Sequence, residues 1–165
     1  MPLTLWRNID MHMKFPKNTI TLSIEETEKL GAALAAAMKQ GSYLPRFVAM
    51  YGDLGVGKTS FVRGFCSELC SGVTVKSPTF ALVNEYRCDK SVTDVKKVYH
   101  FDMYRVADED DLYSIGFYDY LRDDCICIAE WCELIPYALP DSYVKVIIEK
   151  TEDENKRNIA ISLID

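Results

Sequence analysis

The chain has 165 residues, 48% hydrophobic and 27% charged, with a formal net charge of −6. That length holds one domain with a real core but no second catalytic module of ordinary size, so whatever acts on a ligand must lie near the residues that bind it. The negative balance argues against unaided binding to nucleic acid, which draws on many Lys and Arg contacts to phosphates, so any RNA in the function is expected to be held by a partner.

No apolar run resembles a membrane helix of about 18 residues or more, and the opening MPLTLWRNIDMHMKF lacks the apolar segment of a signal peptide. A cytoplasmic protein with no membrane partner is expected. Residues 1–18 show no clear periodicity and read as a loosely ordered N-terminal extension, with 19–165 as a single domain. TITLS (19–23) predicts a first strand. Ser23 and Glu26 make an SxxE capping box that opens a helix with Leu30, Leu34 and Met38 on one face. Gly41 and Pro45 end it. RFVAMY (46–51) is a short continuous apolar run, as in a strand buried on both faces, and leads through a Gly-rich loop into a helix with Phe61, Phe65 and Leu69 spaced by four.

FALVNEYRC (80–88) and VKKVYHFDMYRV (95–106) are rich in Val, Phe and Tyr and flank the polar DKSVTD, which predicts a hairpin. ADEDDLYSIG (107–116) and FYDYL (117–121) read as short helical stretches, and the run Asp108 to Asp111 as a helix start where the dipole favours acids. CICIA (125–129) is a second fully apolar strand, ending at Glu130 and Trp131, and YVKVIIEK (143–150) and RNIAISLI (157–164) close the sheet. Strands alternate with helices early and cluster late, which predicts an α/β fold with a mixed β-sheet flanked by helices. The six cysteines, Cys66, Cys70, Cys88, Cys125, Cys127 and Cys132, have no paired CxxC spacing and read as buried free thiols rather than a disulfide or metal framework.

The Gly-rich loop carries the chemistry. GDLGVGKT, from Gly52 through Asp53, Leu54, Gly55, Val56, Gly57 and Lys58 to Thr59, satisfies GxxxxGK[ST] after a buried strand and at the opening of a helix, where Ser60 follows. Glycines let the backbone fold around an anion with its N–H groups pointing inward, and the helix N-terminus adds orphan donors and a positive dipole end. Lys58 supplies a point charge for β and γ phosphates, and Thr59 offers a hydroxyl to Mg²⁺. That ion takes oxygen ligands, usually one or two carboxylates beside phosphate oxygens and water, so an acid is expected at the end of a nearby strand. Glu130, directly after CICIA, stands where a Walker B acid stands, and Asp102 in HFDMY is the second candidate.

KSPTF sets Thr79 in what reads as a switch-type loop, although an ordinary turn explains that motif alone. His100 reads as a structural histidine near a strand rather than a catalytic base. A GTPase needs a guanine-reading NKxD; the Asn-Lys here continues as NKRN, and no glycine follows an aspartate by three residues. A small-molecule kinase stays open on size, but the scattered arginines form no evident lid.

Together GDLGVGKTSFVRGF, SPTFALVNEY, HFDMYR, DLYSIGFYDYL and IAEW resemble, in order and spacing, the TsaE (YjeE) family over about residues 20–140. The resemblance implies a single-domain P-loop NTPase fold, binding of ATP with Mg²⁺, and partnership with TsaB and TsaD, with TsaC in the same tRNA threonylcarbamoyladenosine pathway and tRNA met only through partners. Slow hydrolysis by the isolated chain follows if a partner helps complete the site, since positioning and charge neutralisation dominate phosphoryl transfer. Carried onto this chain, Lys58 and the loop from Gly52 to Ser60 would hold phosphate, and Thr59 and Glu130 the metal. Asp102 would be a required acid near the γ-phosphate and a further metal candidate, Thr79 the switch threonine, Trp131 a neighbour of the nucleotide, and Thr27 a contact to the adenosine. Two readings stay beside this one: a P-loop small-molecule kinase, and an ATP-gated binding module in which hydrolysis is incidental.

Overall fold

The computed structural model describes residues 13–39 and 43–165. Seven strands form one sheet in the order β1-β7-β6-β2-β5-β4-β3. Its centre is parallel: β2 (Phe47–Tyr51) lies between β6 (Tyr143–Lys150) and β5 (Cys125–Glu130), and β5 pairs in parallel with β4 (Lys97–Asp102). Antiparallel strands complete both sides, β3 (Val83–Arg87) on β4, and β7 (Arg157–Ile164) between β6 and the edge strand β1 (Lys17–Thr21). The mixed α/β architecture matches the expectation.

The apolar runs behave as their composition predicts. β5 is buried at every residue and β2 at all but its last, because helices or loops cover both faces of the central sheet. On one face Val48, Met50, Ile126, Ile128, Val144 and Val146 pack against α1 (Ile24–Ala37) and α2 (Lys58–Leu69), including Leu34, Phe61, Phe65 and Leu69. On the other, Phe47, Ala49, Phe101, Cys127 and Ala129 meet Leu112 of α3 (Glu109–Ser114) and Phe117 of the 3-10 turn Phe117–Tyr120. Phe117 lies edge-on to Phe47 and Phe101 at 6.2 and 5.3 Å.

α1 starts where the capping box places it: Ser23 Oγ accepts from the Glu26 amide at 3.2 Å, and the Glu26 carboxylate accepts from the Leu22 amide at 2.7 Å. α1 and α2 cross through two glycines. A Cβ on Gly31 would sit 2.1 Å from the Phe61 carbonyl oxygen, and one on Gly64 would sit 1.8 Å from that of Glu28. Each helix thus offers its small residue to the other's backbone.

Several boundaries differ from expectation. β1 begins at Lys17 rather than at Thr19 and stops before the capping box, and Met13 and Phe15 rest partly buried against the core. The hairpin strands are shorter than their apolar runs, because Phe80 to Leu82 turn before β3 and Met103 onward turn away after β4. Gly41, the expected helix stop, lies outside the described residues, while α1 itself ends at Ala37. All six cysteines are buried free thiols, with Cys70 and Cys88 Sγ 3.4 Å apart. Among the described residues no helix is long and apolar enough to cross a membrane.

Candidate functional site

The site forms at the carboxyl ends of β2, β5 and β4, where three neighbouring parallel strands release their chains. β2 leads into the loop 52–57, which turns through Gly57 at φ 107°, a left-handed value that a side chain would strain, and there opens α2. Gly57 caps α2 without any side-chain bond, so the first-turn N–H groups of Lys58 and Thr59 face the loop, free of the carboxylate or hydroxyl that usually covers them. Gly52 allows the loop to press against β6, since a Cβ there would meet the Ile148 carbonyl oxygen at 2.4 Å.

Lys58 is 5% exposed, and its ammonium donates to the carbonyls of Gly52 at 2.6 Å and Asp53 at 2.9 Å. Burial pushes its pKa down, against the opposing pull of Glu130, Glu133, Asp102 and Asp53. The ammonium also lies 4.1 Å from the centroid of the Trp131 ring. Trp131 reaches that position because it adopts φ 62°, rare for a large side chain, and so turns the chain sharply at the end of β5. A buried cation resting on loop carbonyls and an aromatic face is a positive charge held at the loop, where an entering anion would compete with those carbonyls for it.

Register brings the two acids together. Met50, near the end of β2, pairs with Glu130, which pairs with Asp102 of β4. Both carboxylates are buried, and Thr59 Oγ1 donates to Glu130 Oε1 at 3.2 Å, so the hydroxyl and acid expected to share a metal already touch. Asp102 accepts from the Tyr104 amide at 3.0 Å and from Ser77 Oγ at 3.4 Å. Ser77 in turn shares a hydrogen bond of 3.1 Å with Thr79, which links the SPTF loop to Asp102 through one intermediary. Among the described residues no three His, Cys, Asp or Glu side chains converge as a metal cage. The donor set of one hydroxyl and one or two carboxylates therefore fits a hard ion that completes its shell with phosphate oxygens and water, as Mg²⁺ does.

Thr27 and Ser60 meet across a cleft of about 340 Å³ beside the loop, lined also by Leu22, Val56, Asn155 and Arg157. Thr27 is buried, and its hydroxyl is 2.8 Å from that of Thr21 and 3.3 Å from the Ser23 carbonyl. Arg157 went unnoticed in the sequence. Its Nε donates to the Val56 carbonyl at 2.7 Å and its Nη1 to the carbonyls of Glu154 and Lys156 at 2.6 and 2.8 Å, so the β6–β7 turn is tied to the phosphate loop 101 residues away. In the sequence Arg157 shows only as the first residue of the RNIAISLI strand and as part of NKRN, neither of which points to the phosphate loop. Leu54 and Asp53 sit exposed at the rim, and Phe80, 87% exposed, lies under the Arg105 guanidinium at 4.9 Å.

A glycine-turned loop between a buried parallel strand and a helix, with an acid one strand away, defines the class of P-loop α/β folds. The crystal structure of Bacillus subtilis YdiB superposes with a TM-score of 0.70 at 28% identity, covering 93% of this chain and 89% of that one. The model of the threonylcarbamoyl adenosine biosynthesis protein TsaE matches residues 21–159. This chain belongs to the TsaE family. It is 40% identical over 114 residues to the tRNA threonylcarbamoyladenosine biosynthesis protein TsaE of Haemophilus influenzae, covering 69% of this chain and 68% of that protein. With the TsaE of Bacillus subtilis the identity is 34% over 136 residues, or 82% of this chain and 79% of the relative.

Proposed function

We propose that this protein is an Mg²⁺-dependent ATPase that serves tRNA threonylcarbamoyladenosine formation as an ATP-gated partner of a TsaB–TsaD complex, meeting tRNA only through those partners. The observation that carries the reading is the contact of Thr59 with Glu130 beside the buried Lys58 ammonium. In this reading Lys58 leaves the Gly52 and Asp53 carbonyls for β and γ phosphates, and the first-turn amides of α2 hold the same anion. Thr59 would present its oxygen to the metal while its hydroxyl hydrogen is donated to Glu130 Oε1. Bound Mg²⁺ would supply neutralisation of the charge that develops on the phosphate oxygens. Asp102, fixed by the Tyr104 amide, faces the position of the terminal phosphate, and Thr79 reports its presence through Ser77. The Thr27–Ser60 cleft takes the nucleoside.

The SPTF loop ends in Phe80, an exposed apolar ring that a docked partner would cover beside the site. Positioning and charge neutralisation dominate phosphoryl transfer, so turnover by the isolated chain is expected to be slow. The test is ATP turnover by this protein alone and with TsaB and TsaD. Stimulation by the pair is expected; turnover unchanged by the pair would refute the partnership, and phosphate passed to a metabolite without other proteins would favour a kinase. Lys58→Ala should weaken ATP binding. Glu130→Ala should keep binding but lower Mg²⁺-dependent turnover by on the order of 100-fold, and undiminished turnover would remove Glu130 from the mechanism. If that variant supports many rounds of tRNA modification while unable to hydrolyse ATP, hydrolysis is incidental to a binding module.

A further inference from the structure

β4 carries one more polar side chain into this site than the proposed chemistry uses. His100 is 0% exposed, and its Nε2 lies 2.7 Å from Oε1 of Glu130, itself only 4% exposed. Oε1 is the same oxygen that accepts from Thr59. The parallel register explains the meeting: His100 pairs with Ile128, two residues before Glu130, so imidazole and carboxylate stand on one face of adjacent strands. That is the face against which α2 packs. The Tyr86 ring closes the far side, 6.4 Å from the imidazole centroid.

The other ring nitrogen decides how the pair works. Nδ1 is buried without any hydrogen-bond partner among the described residues. A hydrogen placed there would be a buried donor with no acceptor, which is costly, whereas a hydrogen on Nε2 meets a carboxylate. The accommodated tautomer is therefore Nε2–H, and the ring donates to Glu130. With no exposed atom, it has no path to a reacting water and cannot serve as a base.

We infer that His100 is a positioning residue: a fixed donor that holds the Glu130 carboxylate in the rotamer that takes the Thr59 hydrogen, leaving the Thr59 oxygen lone pair directed at the metal. The inference rests on the Mg²⁺–nucleotide reading above. Glu130 alone has three side-chain torsions, and the Thr59 contact at 3.2 Å is too long to define them all. A partner behind a metal-site carboxylate typically changes metal affinity by about 10- to 100-fold.

The experiment titrates MgCl₂ into ADP-saturated protein, read by tryptophan fluorescence and independently by the unfolding midpoint. His100→Leu should raise the half-saturating Mg²⁺ concentration by about 10- to 100-fold, while ADP affinity measured in EDTA stays at the wild-type value. His100→Gln, whose amide reaches the Nε2 position, should restore most of the response. His100→Asn, whose amide stops at the Nδ1 position, should behave like His100→Leu. In a Glu130→Gln background, His100→Leu should add little. Mg²⁺ dependence unchanged in folded His100→Leu overturns the proposal, and so does an equal response of His100→Gln and His100→Asn if the leucine variant does not fold. Wild-type protein whose bound ADP ignores MgCl₂ overturns the metal reading and this inference together. A wild type that responds to MgCl₂, with His100→Leu responding at the same concentration, overturns only the role of His100.

Discussion

Replacing Gly64 by alanine sets two physical effects against each other. Helix propensity alone predicts stabilisation, because alanine is favoured over glycine by about 1 kcal/mol inside a helix. The structure predicts the opposite sign. The new Cβ would lie 1.8 Å from the Glu28 carbonyl oxygen, 2.4 Å from its carbon and 2.5 Å from its Cα, all backbone atoms of α1 that cannot swing aside. Ordinary contact begins at 3.4 Å, so the helices must part by about 1.6 Å along that line. Overpacking of this kind costs about 1–3 kcal/mol, and with rigid backbone on one side the upper end applies. After the propensity gain the net loss is about 2 kcal/mol, which lowers the unfolding midpoint of a chain this size by roughly 4–8 °C. The first turn of α2 carries Lys58 and Thr59, while α1 carries Thr27, so the separation should also weaken nucleotide binding. Thermal and urea unfolding of Gly64→Ala, with ADP titrations on the same sample, test both parts. A midpoint that rises, as propensity alone requires, would refute the close-crossing argument.

Arg157→Gln removes guanidinium donors to the carbonyls of Val56, Glu154 and Lys156, and nucleotide affinity should fall by about tenfold, the worth of one charge-assisted bond, with the midpoint only slightly lowered; unchanged affinity in a direct titration would remove Arg157 from the loop's support. Asp124 is held well below the usual carboxylate range, at about 2 against 3.8, first by its hydrogen bond from Lys96, with further help from Cys125 and the Arg122 charge. Because the folded-state value is depressed, this contribution is complete above about pH 4 and disappears as pH falls toward 2. Asp124→Asn should therefore be less stable than wild type at pH 6, with the gap closing between pH 4 and 2 in urea titrations; a gap that persists at pH 2 would assign the loss to something other than ionisation.

Much of the site was legible because its parts are local. The phosphate loop is a contiguous string whose glycines, lysine and threonine do their work through the backbone of one turn and one helix start, and the Ser23 capping box is equally local. CICIA and RFVAMY marked themselves as central strands, since continuous burial needs continuous apolarity, and Glu130 stood out by breaking such a run. Strand boundaries at β3 and β4 were less legible, because apolar residues such as Phe80, before β3, and Met103, after β4, lie where the chain turns beyond the strand ends. His100 shows the limit most clearly: two residues from Asp102 in sequence it looks like strand filling, and only the β4–β5 register discloses the carboxylate it faces.

The sequence by itself determined that this chain folds as an α/β domain around a phosphate loop, because hydrophobic period and glycine placement are properties of neighbouring residues. The tertiary structure decided which acids meet that loop, that Thr59 touches Glu130, that Arg157 ties a distant turn to Val56, and that two helix glycines are needed for closeness rather than flexibility. Those facts depend on pairs separated by tens of residues, whose approach is set by sheet order and register, and no local pattern encodes such distances.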